Sequence, residues 1–223
     1  MPDGQYSFYL HSDDRTDIAA MATISTISQP LRGEFIRTAA TAGAVVYQVD
    51  ARLPALIPVF FAGQLSAVRL CAVMALVSGT WSSLTGLPDE PENGEAALPV
   101  SPETEYQRRR YTLTLQNGRS GERVESVLTE ASSRLRGDLL RNLIITGLAL
   151  HTTAPELPRL LASMPVPPTS VSELQALVQQ MAGTADVSRV AAAVPDTPAT
   201  SAVPVSGPDT REIKKNMRRA FGD

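Results

Sequence analysis

Two copies of a strand–helix–helix pattern in one chain predict a mainly α-helical protein with short β-strands, each copy carrying additional helices after its core pattern. Three observations lead there. Tyr6-Ser-Phe-Tyr-Leu10 and Tyr111-Thr-Leu-Thr-Leu115 both alternate, the period of a strand with one buried face. Leu31-Arg-Gly-Glu-Phe-Ile-Arg37 lines up with Leu135-Arg-Gly-Asp-Leu-Leu-Arg141. At the same offset, Gly43 matches Gly147, Leu53-Pro54 matches Leu157-Pro158 and Gly79 matches Gly183. An ordered series at constant register is the mark of an internal duplication. The strands match after a one-residue shift in the following loop.

The first unit spans 1–80 and the second 108–183. In the first, Asp13-Asp14 is placed to cap a helix over Thr16 to Ile27, which Ser28-Gln29-Pro30 ends. A second helix opens at Leu31 and runs toward Val49. In the second, Asn117-Gly118 breaks the strand, and two amphipathic segments follow, separated at Arg134 to Gly137. Pro155-Glu-Leu-Pro158 starts a third helix, since proline is tolerated in a first turn. Thr169-Ser170 with Glu173 is a capping-box pattern for a fourth helix, Val171 to Met181. Leu174, Leu177, Val178 and Met181 share one face of it and read as core.

Between the units, residues 81–107 are acidic and rich in proline, an exposed linker. Residues 184–209 hold Pro, Ala, Ser, Thr and Val with little charge, which predicts a disordered tether with ends roughly 30 Å apart. The last stretch, 210–223, changes character. Ile213, Met217 and Phe221 form an apolar stripe at fourfold spacing, and Lys214, Lys215, Arg218 and Arg219 surround it. A helix this short is marginal when free, so the stretch reads as a segment that orders on a partner.

The net charge of −3 argues against a general nucleic-acid coat, yet arginines concentrate between Arg108 and Arg159 and again from Arg211. A single cysteine, Cys71, excludes an internal disulfide and fits a reducing compartment. The start, MPDGQYSF, lacks the features of a secretory signal. The most apolar run, Leu53 to Val77, is interrupted by Pro58, Gly63, Gln64 and Arg69, so no membrane segment is expected and the protein reads as cytoplasmic. Catalysis finds no constellation. His11 and His151 occupy non-equivalent places, and Cys71 falls on an apolar helix stripe. There is no phosphate-binding glycine loop, metal-ligand spacing or serine elbow. The expectation is a protein that is not an enzyme and uses no cofactor or metal.

A short basic strand followed by two helices is the outline of a ribbon-helix-helix unit. In that fold two strands, usually from two chains, pair into a ribbon that lies in the DNA major groove. The strand at Tyr111 would bury Tyr111, Leu113 and Leu115 and turn Arg110, Thr112 and Thr114 toward base edges. Arg108 and Arg109 would grip phosphates beside the groove. Gly137 at a helix start, with Arg134, Arg136 and Arg141, would add a phosphate site. The first unit is charge-poor. Its outward residues are Gln5, Ser7 and Tyr9, with Arg32 and Arg37 as possible phosphate contacts. Two arrangements stay open: the units pair within one chain, or each pairs with its counterpart in a second chain.

The run from Arg108 to Asp223 resembles the ParR (StbB) family of plasmid partition adaptors. The likeness rests on RRRYTLTL, Leu135-Arg-Gly-Asp138, Gly147-Leu-Ala-Leu150, Pro155 to Leu161 and the detached basic tail REIKKNMRRAF. It implies a ribbon-helix-helix fold with extra C-terminal helices. It implies binding to tandem repeats of a plasmid centromere on double-stranded DNA, self-association of copies there, and repression of the protein's own operon. It also implies capture of an actin-like ATPase filament (ParM-type) by the tail, through Ile213, Lys214, Lys215, Met217, Arg218, Arg219 and Phe221. The duplicated, charge-poor first unit departs from that pattern and puts in doubt one strand and one tail per chain in a homodimer. A ribbon-helix-helix regulator or relaxosome accessory protein without a filament partner is the alternative, and a scaffold that binds no DNA is a third.

Overall fold

The two strands find each other within one chain. In the computed structural model, which describes residues 4–80 and 107–192 with side chains to residue 183, β1 (Gln5–His11) pairs antiparallel with β2 (Arg108–Thr114). Between them run α1 (Arg15–Ser25), a short 3-10 turn, α2 (Arg32–Val49), α3 (Leu53–Phe60) and α4 (Ala67–Ser78). After β2 come α5 (Arg119–Glu130), α6 (Arg136–Thr153), α7 (Leu157–Ser163) and α8 (Val171–Ala192). Each half is therefore a strand, two helices and two further helices, as the repeat predicts. The linker from 81 and the tail with Ile213, Met217 and Phe221 lie outside the described residues.

Local chemistry explains the boundaries. The Asp14 carboxylate caps α1 by accepting from the Asp17 backbone N–H at 2.9 Å. Pro54 and Pro158 sit in the first turns of α3 and α7, where no intrahelical N–H is needed. At α8 the capping box forms: Glu173 accepts from the Thr169 N–H at 2.8 Å, and Ser170 Oγ accepts from the Glu173 N–H at 3.2 Å. These bonds to the charged form hold the Glu173 carboxyl below its ordinary value. α8 runs to Ala192, well past Met181, so the stretch read as tether begins as helix. No proline interrupts the chain before Pro195, and alanine is frequent there, which favours continuation.

The register is symmetric about one residue pair. Ser7 faces Thr112, Phe8 faces Tyr111 and Tyr6 faces Leu113. Under the repeat correspondence Tyr6 maps to Tyr111 and Phe8 to Leu113, so a pseudo-twofold axis passes between Ser7 and Thr112. Phe8, Leu10 and Leu113 are buried beneath the ribbon, and Tyr111 stacks on Phe8 with ring centroids 5.2 Å apart.

The same axis organises the helices. α2 and α6 make the most extensive helix contact. Each is buried almost all round through its middle, over Ala39 to Val46 and Leu143 to Leu150, as a central helix must be. A Cβ on Gly43 would collide with the backbone of Leu143, and one on Gly147 with the backbone of Ala39. Ala39 and Leu143 are themselves repeat equivalents, so the two close approaches are related by the axis. The paired glycines let the helix backbones touch where they cross. The core is thus built jointly by both repeats, with Leu53, Ile57, Met74, Val124, Leu128, Leu157, Leu161, Leu174 and Val178 completing it. Among the described residues, no helix is long and apolar enough to cross a membrane.

Candidate nucleic-acid interface

Alternation sends one face of the ribbon into the core and the other outward. The outward set is Gln5, Ser7, Tyr9 and His11 from β1, and Arg108, Arg110, Thr112 and Thr114 from β2. They oppose one another as Gln5–Thr114, Ser7–Thr112, Tyr9–Arg110 and His11–Arg108. The Leu115 N–H donates to Gly4 O at 3.3 Å and the Ser12 N–H to Gln107 O at 3.0 Å. By alternation the outward pairs are the narrow, non-hydrogen-bonded ones, whose side chains stand closest together.

These side chains engage one another. Arg110 donates from Nε and Nη2 to Ser7 Oγ, at 3.2 and 2.9 Å, diagonally across the ribbon. The Arg108 guanidinium lies 3.5 Å from the centre of the Tyr9 ring. Both arginines are exposed on the outward face, each held by a contact to the opposite strand. Arg109 differs from the expectation that paired it with Arg108. It lies inside the strand and points to the opposite side, 5.2 Å from the Tyr111 ring, near the ribbon's lateral edge.

The helix starts flank the ribbon. Gly137 at the start of α6 lies beside the Ser7 carbonyl, and Arg136 beside Tyr6. Burial raises the Tyr6 hydroxyl above its ordinary pKa, Glu125 adds to that, and Arg136 opposes it. On the other side Arg32 is near Tyr111, whose pKa burial also raises. Arg32 and Arg136 share a second task. Arg32 Nε donates to Ile27 O at 2.8 Å, and Arg136 Nε to Ala131 O at 3.2 Å. These carbonyls are repeat equivalents at the ends of α1 and α5, so each arginine satisfies the loop before its own helix. Arg134 is exposed in that loop.

Arg141 is placed elsewhere. It forms an ion pair with the fully buried Asp17, with Nη2 2.6 Å and Nε 2.7 Å from Oδ1, and its Nη2 is 3.3 Å from Asp14 Oδ2. The His11 backbone N–H donates to Asp17 Oδ2 at 2.9 Å. Burial pushes the Asp17 carboxyl up, while the His11 N–H and the Arg141 guanidinium pull it down. This cluster ties β1 and α1 of the first repeat to α6 of the second. The second repeat lacks its mirror image. Gly118 and Gly121 stand where Asp14 and Asp17 would be, and a Cβ on Gly121 would meet the Gln116 carbonyl. The loop after β2 is one residue shorter, which brings that carbonyl in. Arg37, the counterpart of Arg141, instead lines a cleft of about 270 Å³ with Gly118, Gly121 and Glu34.

The sequence pattern missed Asp17 and His11. Asp17 reads as an ordinary acid in a first helical turn; its only signal is that the second copy has glycine there. His11 continues the alternation of β1 by one step beyond Leu10.

Fold and surface together define a class: two strand–helix–helix repeats in one chain, closing an antiparallel ribbon whose free face is polar and basic at one end. The family model described as plasmid stability protein matches residues 4–74 and 109–178, one segment per repeat and together more than half of the chain. The chain belongs to this plasmid stability family. No curated protein and no solved structure gave a match.

Proposed function

We propose that the chain serves plasmid maintenance by binding double-stranded DNA through the β1–β2 ribbon, laid in the major groove. The supporting observation is the outward face itself: hydroxyl, amide and guanidinium groups on a narrow two-stranded ribbon, backed by a buried apolar face. A ribbon of this width fits the groove, and arginine matches the acceptor pair of guanine. Arg110 and Thr112 sit at the middle of the face, with Ser7 and Tyr9 opposite. Arg108 and Thr114 extend it. The starts of α2 and α6, with Arg32, Arg134, Arg136 and Gly137, lie where phosphates flanking the groove would pass. Arg141 is left out of this surface because its guanidinium is held by Asp17.

The wider reading is that of a segregation adaptor of ParR type. It binds tandem centromere repeats, represses its own operon and hands the complex to an actin-like ATPase filament through the tail with Ile213, Met217 and Phe221. The charge pattern of that tail supports it.

The test is fluorescence anisotropy with duplexes from the chain's own plasmid. Arg110→Ala should weaken specific binding by about 5–150-fold, the value of one bidentate base contact. Arg108→Ala should lower the salt slope by about one. Unchanged binding in both variants would sink the ribbon as the reading surface. Deleting residues 211–223 should abolish segregation while sparing DNA affinity. A loss of DNA affinity on that deletion would make the tail a DNA arm instead.

A further inference from the structure

The ribbon is twofold in backbone and one-sided in chemistry. Under the pseudo-twofold axis Arg110 exchanges with Gln5, and Tyr9 with Thr114, while Ser7 and Thr112 exchange with each other. One end of the outward face therefore carries His11, Arg108, Tyr9 and Arg110. The other carries Gln5 and Thr114, with no cation on the outward strand positions among the described residues. The flanking helix starts differ less: Arg32 and Arg136 correspond and make equivalent bonds, and Glu34 corresponds to Asp138. Arg134, whose counterpart is Pro30, is the exception. The difference lies mainly in the groups that would touch base edges. A dimer of identical strands has to present the same groups at both ends of its ribbon, and it matches a palindrome for that reason. This ribbon is complete in one chain and does not.

We infer that a single chain recognises a non-palindromic DNA site in one fixed orientation, with guanine specified under the Arg110 end only. The inference rests on the DNA-binding reading above and adds polarity to it. Copies bound along direct repeats would all face the same way, and the strand sense of the DNA would be transmitted to every bound chain.

The experiment is selection of duplexes with a random core of about 10 base pairs, one helical turn, so that one ribbon occupies each duplex. The full chain and a Gln5→Arg variant are compared. Gln5 is exposed, and the side chain introduced there stands diagonal to Thr112 as Arg110 stands diagonal to Ser7. The wild type should enrich a non-palindromic core. Gln5→Arg should shift the enriched core toward a palindrome with guanine at both ends, and gain about 5–150-fold on that core relative to wild type. A palindromic wild-type core overturns the inference and leaves DNA binding standing. An unshifted core for a Gln5→Arg protein that melts like wild type also overturns it. No enrichment of any core by the wild type overturns this inference and the proposed function together.

Discussion

Asp17 and Arg141 show how one residue pair joins the two repeats. A carboxylate with no solvent exposure is costly unless its charge is matched, and here a guanidinium and a backbone N–H match it. Removing one partner leaves the other charge stranded. Arg141→Ala should therefore destabilise the protein by about 3–5 kcal/mol near neutral pH, read from urea unfolding. The sign with pH follows from linkage. Burial already raises the folded-state carboxyl above 3.8, and loss of the arginine raises it further. A raised acid favours the folded state fully below its unfolded value and loses that advantage as pH rises through the folded value. The deficit of Arg141→Ala against wild type should therefore shrink as the pH is lowered toward 4. A deficit that stays constant or grows on acidification would mean that Asp17 is not the group left stranded. The opposite half has glycines in place of both acids, so this brace acts on one side of the molecule.

Among the elements, α2 and α6 set the geometry of everything else. Their crossing places both helix starts beside the ribbon, and Gly43 and Gly147 permit the close approach. Backbone atoms cannot yield as a flexible side chain can. Gly43→Ala and Gly147→Ala should each cost at least the usual 1–3 kcal/mol of overpacking, despite alanine's better helix propensity. Thermal melts would check this, and a neutral or stabilising result at either site would show that the helices do not touch there. The elements themselves were legible in the sequence. Alternation marked both strands, and Asp14 and Ser170 marked helix starts. The end of α8 was not legible, because the residues after Met181 are small and weakly patterned, and that composition permits either helix or tether. The Asp17–Arg141 bond was not legible either, since its partners lie in different repeats and no local spacing connects them.

At the scale of the whole molecule, two repeats of one chain close the ribbon between them. The alternating pattern of Tyr111 to Leu115 predicts a buried face and an outward face whichever strand lies alongside, so it left the partner of β2 open. Pairing with β1 closes the ribbon inside one chain. It also frees the two halves to diverge, which identical subunits cannot do. The divergence is visible at Arg110 against Gln5 and at Asp17 against Gly121. The family match over both segments agrees with two copies of one unit.

Completion of the ribbon within one chain can be tested by cross-linking its axial pair. Ser7 and Thr112 face each other as a narrow pair, with Cα atoms expected about 4.5 Å apart, within reach of a disulfide. Ser7→Cys with Thr112→Cys, in a Cys71→Ser background, would be oxidised at low concentration and run on a non-reducing denaturing gel. A ribbon closed within one chain gives a cross-linked monomer of altered mobility that reverts on reduction. A covalent dimer as the main product would contradict it, and would mean that the two strands of a ribbon come from different chains.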